Sequence, residues 1–427
     1  MKQKPVITAQ KVALDFLRKH GQTVYEVDEK AQMRLFCEDM SKGLRENGQQ
    51  IPMIPTYLCN VDRSKISNGK RILIDAGGTN FRSAVGYFDQ NGEVKIQKLR
   101  KTSMPASNGE TLSKEQFYDK IAENVAYLAE EGDDVGFCFS YPVSMAADMD
   151  GEVTNFSKEV KAPEVVGTRV GAETLSALRK YSAKPRKIVI LNDTVATLLG
   201  GMATSDKQYS TYLGYIYGTG TNVCCIVDTE KISKVKNLPQ GKMLVNMECG
   251  GYDGFVLGDF DKAAIDLTDA PKSQLFEKMS SGKYLSNVIF QSLCAAEREN
   301  MYRCPVKIDN FELKDVSAFL TSGGKMDGFF ECAQDADFAK EVCRQLIKRA
   351  AKLGAIVNAA TAIATCNDKS LPVAIVAEGT TFNKLVGYRS WFEGYLHEFL
   401  DAENVSFEIV QGEDLNLVGT LMATMAL

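Results

Sequence analysis

One short turn carries a dense group of side chains that suit phosphate and metal binding. Between two apolar runs, eight residues of the chain contain Asp75, Gly77, Gly78, Thr79, Asn80 and Arg82. Glycines let backbone N–H groups approach an anion closely, and they adopt positive φ angles easily. Thr79 and Arg82 add a hydroxyl and a cationic fork, whereas Asp75 repels phosphate unless Mg²⁺ lies between them. The alternative is a simple glycine turn with a solvated acid and base.

The same pattern occurs a second time in the chain. The stretch from Ile216 to Val227 aligns without a gap on Ile74 to Val85, which places Gly220-Thr221-Asn222 on Gly78-Thr79-Asn80. Such internal repetition indicates two duplicated α/β domains. Their turns are predicted to face each other across a cleft and to hold opposite ends of a polyphosphate.

Acid–base chemistry is predicted to depend on carboxylates rather than on histidine. The chain has only His20 and His397, each in a predicted helix and away from any motif, which argues against a His-centred metal site or a Ser-His-Asp triad. Asp193 directly follows a predicted strand at 187–191, at the strand end where open α/β sheets bind ligands. It is therefore a candidate base. The alternative is that Asp193 caps a helix at 195–199.

Other polar residues suit a polyhydroxylated ligand, because each hydroxyl group needs a donor and an acceptor. These candidates are Ser140, Ser157, Lys158, Asn192, Glu248 and Glu277. Taken singly, each has a plainer interpretation. Glu277 could be a solvated helical residue, and Lys158 could be one of several surface lysines.

Short buried strands that alternate with helices must position these side chains. Apolar runs predict strands at 72–74, 83–88, 94–99, 135–140, 187–191 and 373–377. Amphipathic patterns predict helices at 12–18, 31–44 and 113–132, and the last opens with a capping box from Ser113 to Gln116. This alternation is typical of a mixed sheet flanked by helices.

Composition agrees with a globular protein of two domains. The 427 residues are 44% hydrophobic and 25% charged, and the formal net charge is −5. The chain lacks the basic footprint of a nucleic-acid-binding protein, and no apolar run is long enough to cross a membrane. With its amphipathic start, this predicts a cytoplasmic protein. The eleven cysteines include no C-x-x-C pair and are predicted to be small buried thiols.

Five blocks, in order along the chain, resemble the hexokinases of the eukaryotic type, which share the actin-like ATPase fold. The blocks are Ile74 to Arg82, Gly136 to Pro142, Asn192 to Val195, Gly218 to Asn222 and Asn246 to Glu248. The resemblance implies a two-lobed α/β, ribonuclease H-like fold in which each lobe is a mixed β-sheet flanked by helices, with a cleft between. A small lobe is expected at 62–195 with the helix 415–427, and a large lobe at 1–61 and 196–414.

The resemblance also implies an activity, namely ATP-dependent phosphorylation of a hexose, glucose by expectation, at its 6-hydroxyl in a monomer or homodimer. Asp193 is implied to be the base, assisted by Lys158 and Arg82. The implied sugar contacts are Ser140, Ser157, Lys158, Asn192, Asp193, Asn222, Glu248 and Glu277. Asp75 is implied to hold Mg²⁺ through water, and the ATP phosphates are implied to lie among Gly77, Gly78, Thr79, Asn80, Arg82, Gly218, Thr219, Gly379 and Thr380. Sugar binding is expected to close the lobes and exclude water.

The chain departs from the family pattern at the expected adenine site. Leu415 and Leu417 stand where the family tends to have the glycines of a Gly-Ser-Gly run, so close backbone approach to adenine is expected to be blocked. Ser157 replaces a usual Thr. Two rival functions stay open: a catalytically weak, hexokinase-like sugar sensor, and an actin-like or chaperone-type ATPase.

Overall fold

The computed structural model describes residues 8–61, 69–78, 80–156 and 160–427. Three residues of the predicted site, Thr79, Ser157 and Lys158, lie outside these ranges. The strands, numbered along the chain, are β1 Ile54–Cys59, β2 Arg71–Ala76, β3 Asn80–Phe88, β4 Val94–Ser103, β5 Asp134–Phe139, β6 Val143–Met145, β7 Gly151–Val153, β8 Ile188–Leu191, β9 Tyr212–Tyr217, β10 Thr221–Asp228, β11 Lys242–Asn246, β12 Val373–Glu378 and β13 Phe407–Val410.

Helices surround these strands. They are α1 Ala9–Lys19, α2 Glu29–Arg45, α3 Lys114–Val125, α4 Val170–Leu178, α5 Asp193–Thr204, α6 Asp259–Ile265, α7 Leu275–Ser280, α8 Leu285–Arg298, α9 Leu313–Thr321, α10 Ala333–Thr365, α11 Thr380–Lys384, α12 Tyr388–Asp401 and α13 Leu415–Ala423. Across the described ranges, no helix is long and apolar enough to cross a membrane.

The two larger sheets repeat one topology. The first has the strand order β4-β3-β2-β5-β8, and the second has the order β1-β11-β10-β9-β12-β13. In each, an antiparallel hairpin, β2–β3 or β9–β10, is followed by a strand parallel to its first member, β5 or β12. The internal repeat read from the sequence is therefore confirmed as a repeat of structure.

Helix α5 lies at the junction of the two sheets because small residues let other elements approach it closely. A Cβ atom on Gly419 of α13 would lie 1.8 Å from the carbonyl oxygen of Ala196, and one on Gly214 of β9 would lie 2.3 Å from that of Thr194. Leu198 and Leu417 belong to the same buried cluster between the sheets. The residue that begins α5 is thus held by both halves of the molecule.

Most predicted elements are confirmed, with shifted ends. The capping box of α3 forms as expected, because the Ser113 hydroxyl accepts the N–H of Gln116 and the Gln116 side chain accepts the N–H of Ser113. The helix predicted to reach 132 instead ends at Val125 and continues as a 3₁₀ turn, Ala126–Leu128. All eleven cysteines are free, but six of them are only half-buried, so the prediction of buried thiols holds for five.

Candidate active site

An ion pair joins the two strands of the first glycine turn. Asp75 and Arg82 are cross-strand partners in the β2–β3 hairpin. The Nε and Nη2 atoms of Arg82 donate to Oδ2 of Asp75 at 2.8 and 2.6 Å, and Nη1 donates to Oδ1 of Asp414 at 2.7 Å. Burial acts to lower the pKa of Arg82, but the charges of the two carboxylates leave that pKa raised. A cationic fork is therefore fixed beside the turn.

Hydrogen bonds hold the backbone of this turn on one side, and the other side is open. The Gly77 N–H donates to the Asn80 carbonyl at 2.9 Å, and the Tyr141 hydroxyl lies within hydrogen-bond distance of the carbonyls of Gly77 and Gly78. A Cβ atom on Gly78 would meet nothing within 4 Å. Neither glycine has a left-handed φ angle, so the expectation of positive φ is wrong here. What glycine provides is space for a ligand beside the backbone.

The second turn, between β9 and β10, is held in a similar way. Its Gly218 carbonyl accepts the N–H of Gly282 at 2.9 Å and the hydroxyl of Thr381 at 3.0 Å, and the Thr219 carbonyl accepts the N–H of Lys283 at 3.1 Å. These bonds engage carbonyl oxygens that would otherwise repel an anion. Thr219 itself is exposed.

Gly379 packs against this second turn and directly precedes helix α11. It has a φ angle of 131°, and a Cβ atom on it would lie 2.2 Å from the Tyr217 carbonyl oxygen. Only glycine fits such a position. Thr380 follows as the first residue of α11 and is exposed, so its hydroxyl is accessible beside the second turn.

Asp193 stands at the head of α5, but it does not cap the helix. Asn192 is the N-cap, and its side chain accepts the Thr194 N–H at 2.9 Å. The alternative that Asp193 caps a helix beginning at 195 is therefore wrong, because a better-placed amide takes that role. Asp193 is half-buried. Its Oδ1 atom accepts the Thr194 N–H at 2.8 Å. Ser140, just after β5, interacts with the carboxylate and acts to lower its pKa.

A second group of carboxylates and amides lies on the β10–β11 side. Oδ1 of Asn246 accepts from Nδ2 of Asn222 at 2.8 Å, and Oε1 of Glu248 accepts from the same two amides, at 2.7 Å from Asn246 and 3.2 Å from Asn222. Glu248 has a φ angle of 53°, a left-handed conformation that is unusual for a residue other than glycine. Burial raises the pKa of Glu248. Such a strained, desolvated carboxylate is typical of a functional position.

Glu277 reaches this group from α7 and is not the solvated residue of the plainer interpretation. Its Oε2 atom accepts the Thr221 N–H at 3.2 Å. A Cβ atom on Gly220 would lie 2.5 Å from the same oxygen, so any larger residue there would displace the end of the Glu277 side chain. Burial, only partly offset by the Thr221 hydrogen bond, raises the pKa of Glu277 to about 7.

The charges show that these parts converge on one site. After burial, the charge of Asp75 is the main cause that raises the pKa of Asp193. The charge of Asp193 in turn contributes to the raised pKa values of Glu248 and Glu378, for which burial is the first cause. The first turn, the head of α5 and the β10–β11 side are thus within electrostatic reach of one another.

Three carboxylates influence one another near the head of α5. Burial and then the charge of Asp75 raise the pKa of Asp193, and the charges of both aspartates add to the effect of burial in raising the pKa of Glu378. Among the described residues, however, the oxygens of these three carboxylates are not close enough together to form a preformed cation site. Glu378 also lies 3.1 Å from the hydroxyl of Thr197 on α5, which ties the end of β12 to the helix that carries Asp193.

Leu415 and Leu417 do not line an accessible surface. Their side chains are 1% and 0% exposed, and they pack at the start of α13 in the interior of the protein. The leucine side chains therefore do not face solvent, and the prediction that backbone approach to adenine is blocked here stays a prediction. Asp414, which precedes them, has 41% of its side chain exposed and accepts the hydrogen bond from Arg82.

Sequence reasoning missed several residues of the site. Asn246, Glu378 and Asp414 were not assigned to it, although Asn246 lies inside a recognised block and Glu378 directly precedes Gly379, which was assigned to the phosphates. Asn246 could have been found because it precedes Glu248 by two residues at the end of a strand. Asp414 carried no local signal, because its partner Arg82 is 332 residues away in the chain.

The fold and the site define a class of protein. Two repeated sheets, each with a glycine-containing turn, describe a two-lobed protein of the actin-like ATPase fold. A hexokinase from Schistosoma mansoni complexed with glucose has this fold, with a TM-score of 0.80 at 21% identity over 98% of this chain and 100% of that chain.

Sequence comparison identifies the family within this class. Sequence models of the hexokinase family match residues 22–203 and 212–426. Hexokinase-2 of Solanum tuberosum is 30% identical over 352 residues, which cover 74% of this chain and 70% of that protein. Hexokinase-1 of Saccharomyces cerevisiae is 26% identical over 415 residues, which cover 89% of this chain and 84% of that protein. The chain belongs to the hexokinase family and is a hexose kinase.

Proposed function

We propose that this hexose kinase transfers the γ-phosphoryl group of ATP to the 6-hydroxyl of a hexose, with glucose as the expected sugar and Asp193 as the general base. The observation that carries the proposal is the position of the Asp193 carboxylate, half-buried at the head of α5 between the first glycine turn and Glu248. Burial and the charge of Asp75 raise its pKa, which makes it a stronger proton acceptor than an ordinary aspartate.

The sugar is proposed to bind among Ser140, Asn192, Asn222, Glu248 and Glu277, together with Ser157 and Lys158. In support, the amides of Asn222 and Asn246 already orient Glu248. A carboxylate so held presents its remaining lone pairs to hydroxyl groups at fixed angles. The site then discriminates between sugars because its buried polar groups stay unpaired when a hydroxyl of the sugar is missing or inverted.

The triphosphate is proposed to lie between the two turns. The groups assigned to it are Gly77, Gly78, Thr79, Asn80, Arg82, Gly218, Thr219, Gly379 and Thr380. Asp75 would hold Mg²⁺ through water, and the ion would neutralise phosphate charge. Arg82 orients the phosphates through its fork, and Asp193 receives the proton of the attacking hydroxyl. In-line phosphoryl transfer depends mostly on such positioning and charge stabilisation.

Water is excluded, in this proposal, by closure of the proposed lobes, 62–195 with 415–427 against 1–61 with 196–414. Water resembles the acceptor hydroxyl, so the catalytic arrangement must be completed only after the sugar binds. Helix α5 is the proposed pivot, because β9 of the second sheet approaches its backbone at Gly214 and helix α13 approaches it at Gly419.

One observation favours the second candidate, a sugar sensor with weak transfer activity. Arg82 is held by two carboxylates, Asp75 and Asp414, so its charge is already compensated before any phosphate arrives. A coupled assay separates the candidates: several hexoses are tested with ATP, other triphosphates and pyrophosphate as donors. The kinase proposal predicts saturable transfer from ATP to at least one hexose. Hexose binding in calorimetry without transfer from any donor would favour the sensor.

A further inference from the structure

Two half-buried cysteines lie close together between helices α8 and α10, outside the candidate active site. Cys304 lies in the segment that follows α8, and Cys332 is the N-cap of the long helix α10. Their sulfur atoms and a carboxylate oxygen of Asp335 all lie within 4.8 Å of one another. No step of the proposed reaction uses this cluster.

Backbone register places the two cysteines opposite each other. Val306 and Phe330 form an antiparallel bridge, and the Lys307 N–H donates to the Phe329 carbonyl at 3.2 Å. Lys307 and Phe329 are therefore a hydrogen-bonded pair. Pairs alternate in type along an antiparallel ladder, so the adjacent pair of Val306 and Phe330 is a non-hydrogen-bonded one. If this antiparallel register is extended by two residues, Cys304, two residues before Val306, lies opposite Cys332, two residues after Phe330. Such pairs have Cα atoms about 4.5 Å apart, inside the range of about 4.4 to 6.8 Å that a disulfide requires.

Asp335 holds the pair in this register. It is 3% exposed, and its two oxygens accept the N–H groups of Arg303 and Cys304 at 3.0 Å. The backbone of Cys304 is therefore fixed to the first turn of the helix that Cys332 caps. A carboxylate already engaged by two backbone donors is better explained as a clamp than as a metal ligand.

The two thiols differ in their surroundings. Cys332 is the N-cap of the 33-residue helix α10, and its thiol interacts with the Asp335 carboxylate in the first turn of that helix. A hydrogen bond to Cys332 is the first cause that raises the pKa of Cys304. Because its raised pKa makes Cys304 a thiolate less often, we assign the first attack to Cys332 and the resolving step to Cys304.

We propose that Cys304 and Cys332 are a redox modification site that forms a reversible disulfide by exchange with a low-molecular-weight disulfide. The Cys332 thiolate attacks one sulfur of the oxidant, breaks its S–S bond and releases one thiolate. Cys304 then loses its proton to water and attacks Cys332 Sγ in the mixed disulfide, which releases the second thiolate. The protein loses two electrons and two protons, and the oxidant is reduced to two thiols.

Oxidation would close a loop that contains α9 and the 3₁₀ turn Lys325–Phe329. A cross-link of this kind restricts the unfolded chain, so the Tm of the oxidised protein should rise by several degrees. Because the two backbones are already in register, closure needs little rearrangement of the folded state.

The test is a titration of the full chain with oxidised glutathione. After alkylation and proteolysis without reductant, mass spectrometry should find a cross-linked peptide that joins Cys304 to Cys332, and dithiothreitol should remove both the cross-link and the Tm increase. Cys304→Ser should stop at a mixed disulfide on Cys332. Cys332→Ser should fold, because serine is a good N-cap, and should leave Cys304 slow to react.

A matched control lies at the other end of the same helix. Cys366 is the half-buried C-cap of α10, about 50 Å from Cys332 at the rise of an α-helix, so Cys366→Ser should leave the cross-link unchanged. Mixed disulfides alone in the unmodified protein, with no cross-linked peptide, would overturn the proposal. So would stoichiometric Zn²⁺ that protects both thiols until a chelator removes it, because the cluster would then be a metal site.

Discussion

Glu277 offers a sharp test of the site, because the proposed role of its carboxylate in sugar binding opposes the effect of that carboxylate on stability. Its carboxylate is desolvated against the Gly220 turn, where Oε2 accepts the Thr221 N–H at 3.2 Å. Burial raises the pKa of Glu277 from the ordinary 4.5 to about 7. A residue kept for ligand binding at such a cost should lower the stability of the protein without ligand.

The sign and size of this effect follow from proton linkage. Between pH 4.5 and about 7, the folded protein keeps a proton on Glu277 that the unfolded chain has released. The stability contributed by this proton is fully present below pH 4.5 and is lost as the pH rises through about 7. The loss in the free energy of unfolding reaches at most about 3 kcal/mol. Glu277→Gln has no proton to lose, so this pH dependence should be reduced in the variant.

The assay is urea unfolding of wild type and Glu277→Gln at about pH 5 and about pH 8. The variant should be close to wild type at the lower pH and more stable than wild type at the higher pH, while its hexose affinity in calorimetry is weaker at both. Glu403→Gln, an exposed position outside the site, is the matched control and should change neither quantity. Equal stability differences at the two pH values would refute the reasoning, since desolvation of a charge would then not be the cause.

Three further predictions concern the two turns. Arg82→Ala should lower the free energy of unfolding by about 3 kcal/mol, because Asp75 is left buried without its partner, and it should raise the KM for ATP more than the KM for hexose; an unchanged KM for ATP and rate would contradict the phosphate assignment. Asp414→Asn should change stability by less than about 1 kcal/mol, because its side chain is 41% exposed, and should lower the KM for ATP by leaving the charge of Arg82 less compensated; a raised KM would show that Asp414 positions the fork instead. Gly220→Ala should weaken hexose binding in calorimetry, because its Cβ atom would lie 2.5 Å from the Glu277 carboxylate; unchanged binding would exclude Glu277 from the sugar site.

Features that depend on neighbouring residues could be predicted from the sequence. The two hairpins follow from apolar runs interrupted by glycine turns, and the repeat of this pattern predicted the repeated sheet topology. Position at the carboxyl end of a strand picked out Ser140 and Asp193, because parallel strands bring their ends to one edge of a sheet. The capping box of α3 was equally local.

Features that depend on tertiary packing could not be predicted in this way. The Asn192 cap and the half-burial of Asp193 depend on how α5 meets both sheets, which one sequence window does not contain. Glu277 looked like a solvated helical residue until α7 was placed against Gly220. The burial of Leu415 and Leu417 likewise depends on the close approach of α13 to α5, which the sequence around them does not contain.

The central claim is that Asp193 accepts the proton of the sugar hydroxyl. Asparagine has nearly the same shape and keeps an oxygen acceptor for the Thr194 N–H, but it cannot take up a proton. The direct measurement is the turnover number of Asp193→Asn with ATP and hexose, together with hexose affinity by calorimetry on the same preparation. The account predicts a turnover number lower by about 10² to 10⁴ with hexose affinity changed by no more than a few-fold. Near-normal turnover in the folded variant would contradict it.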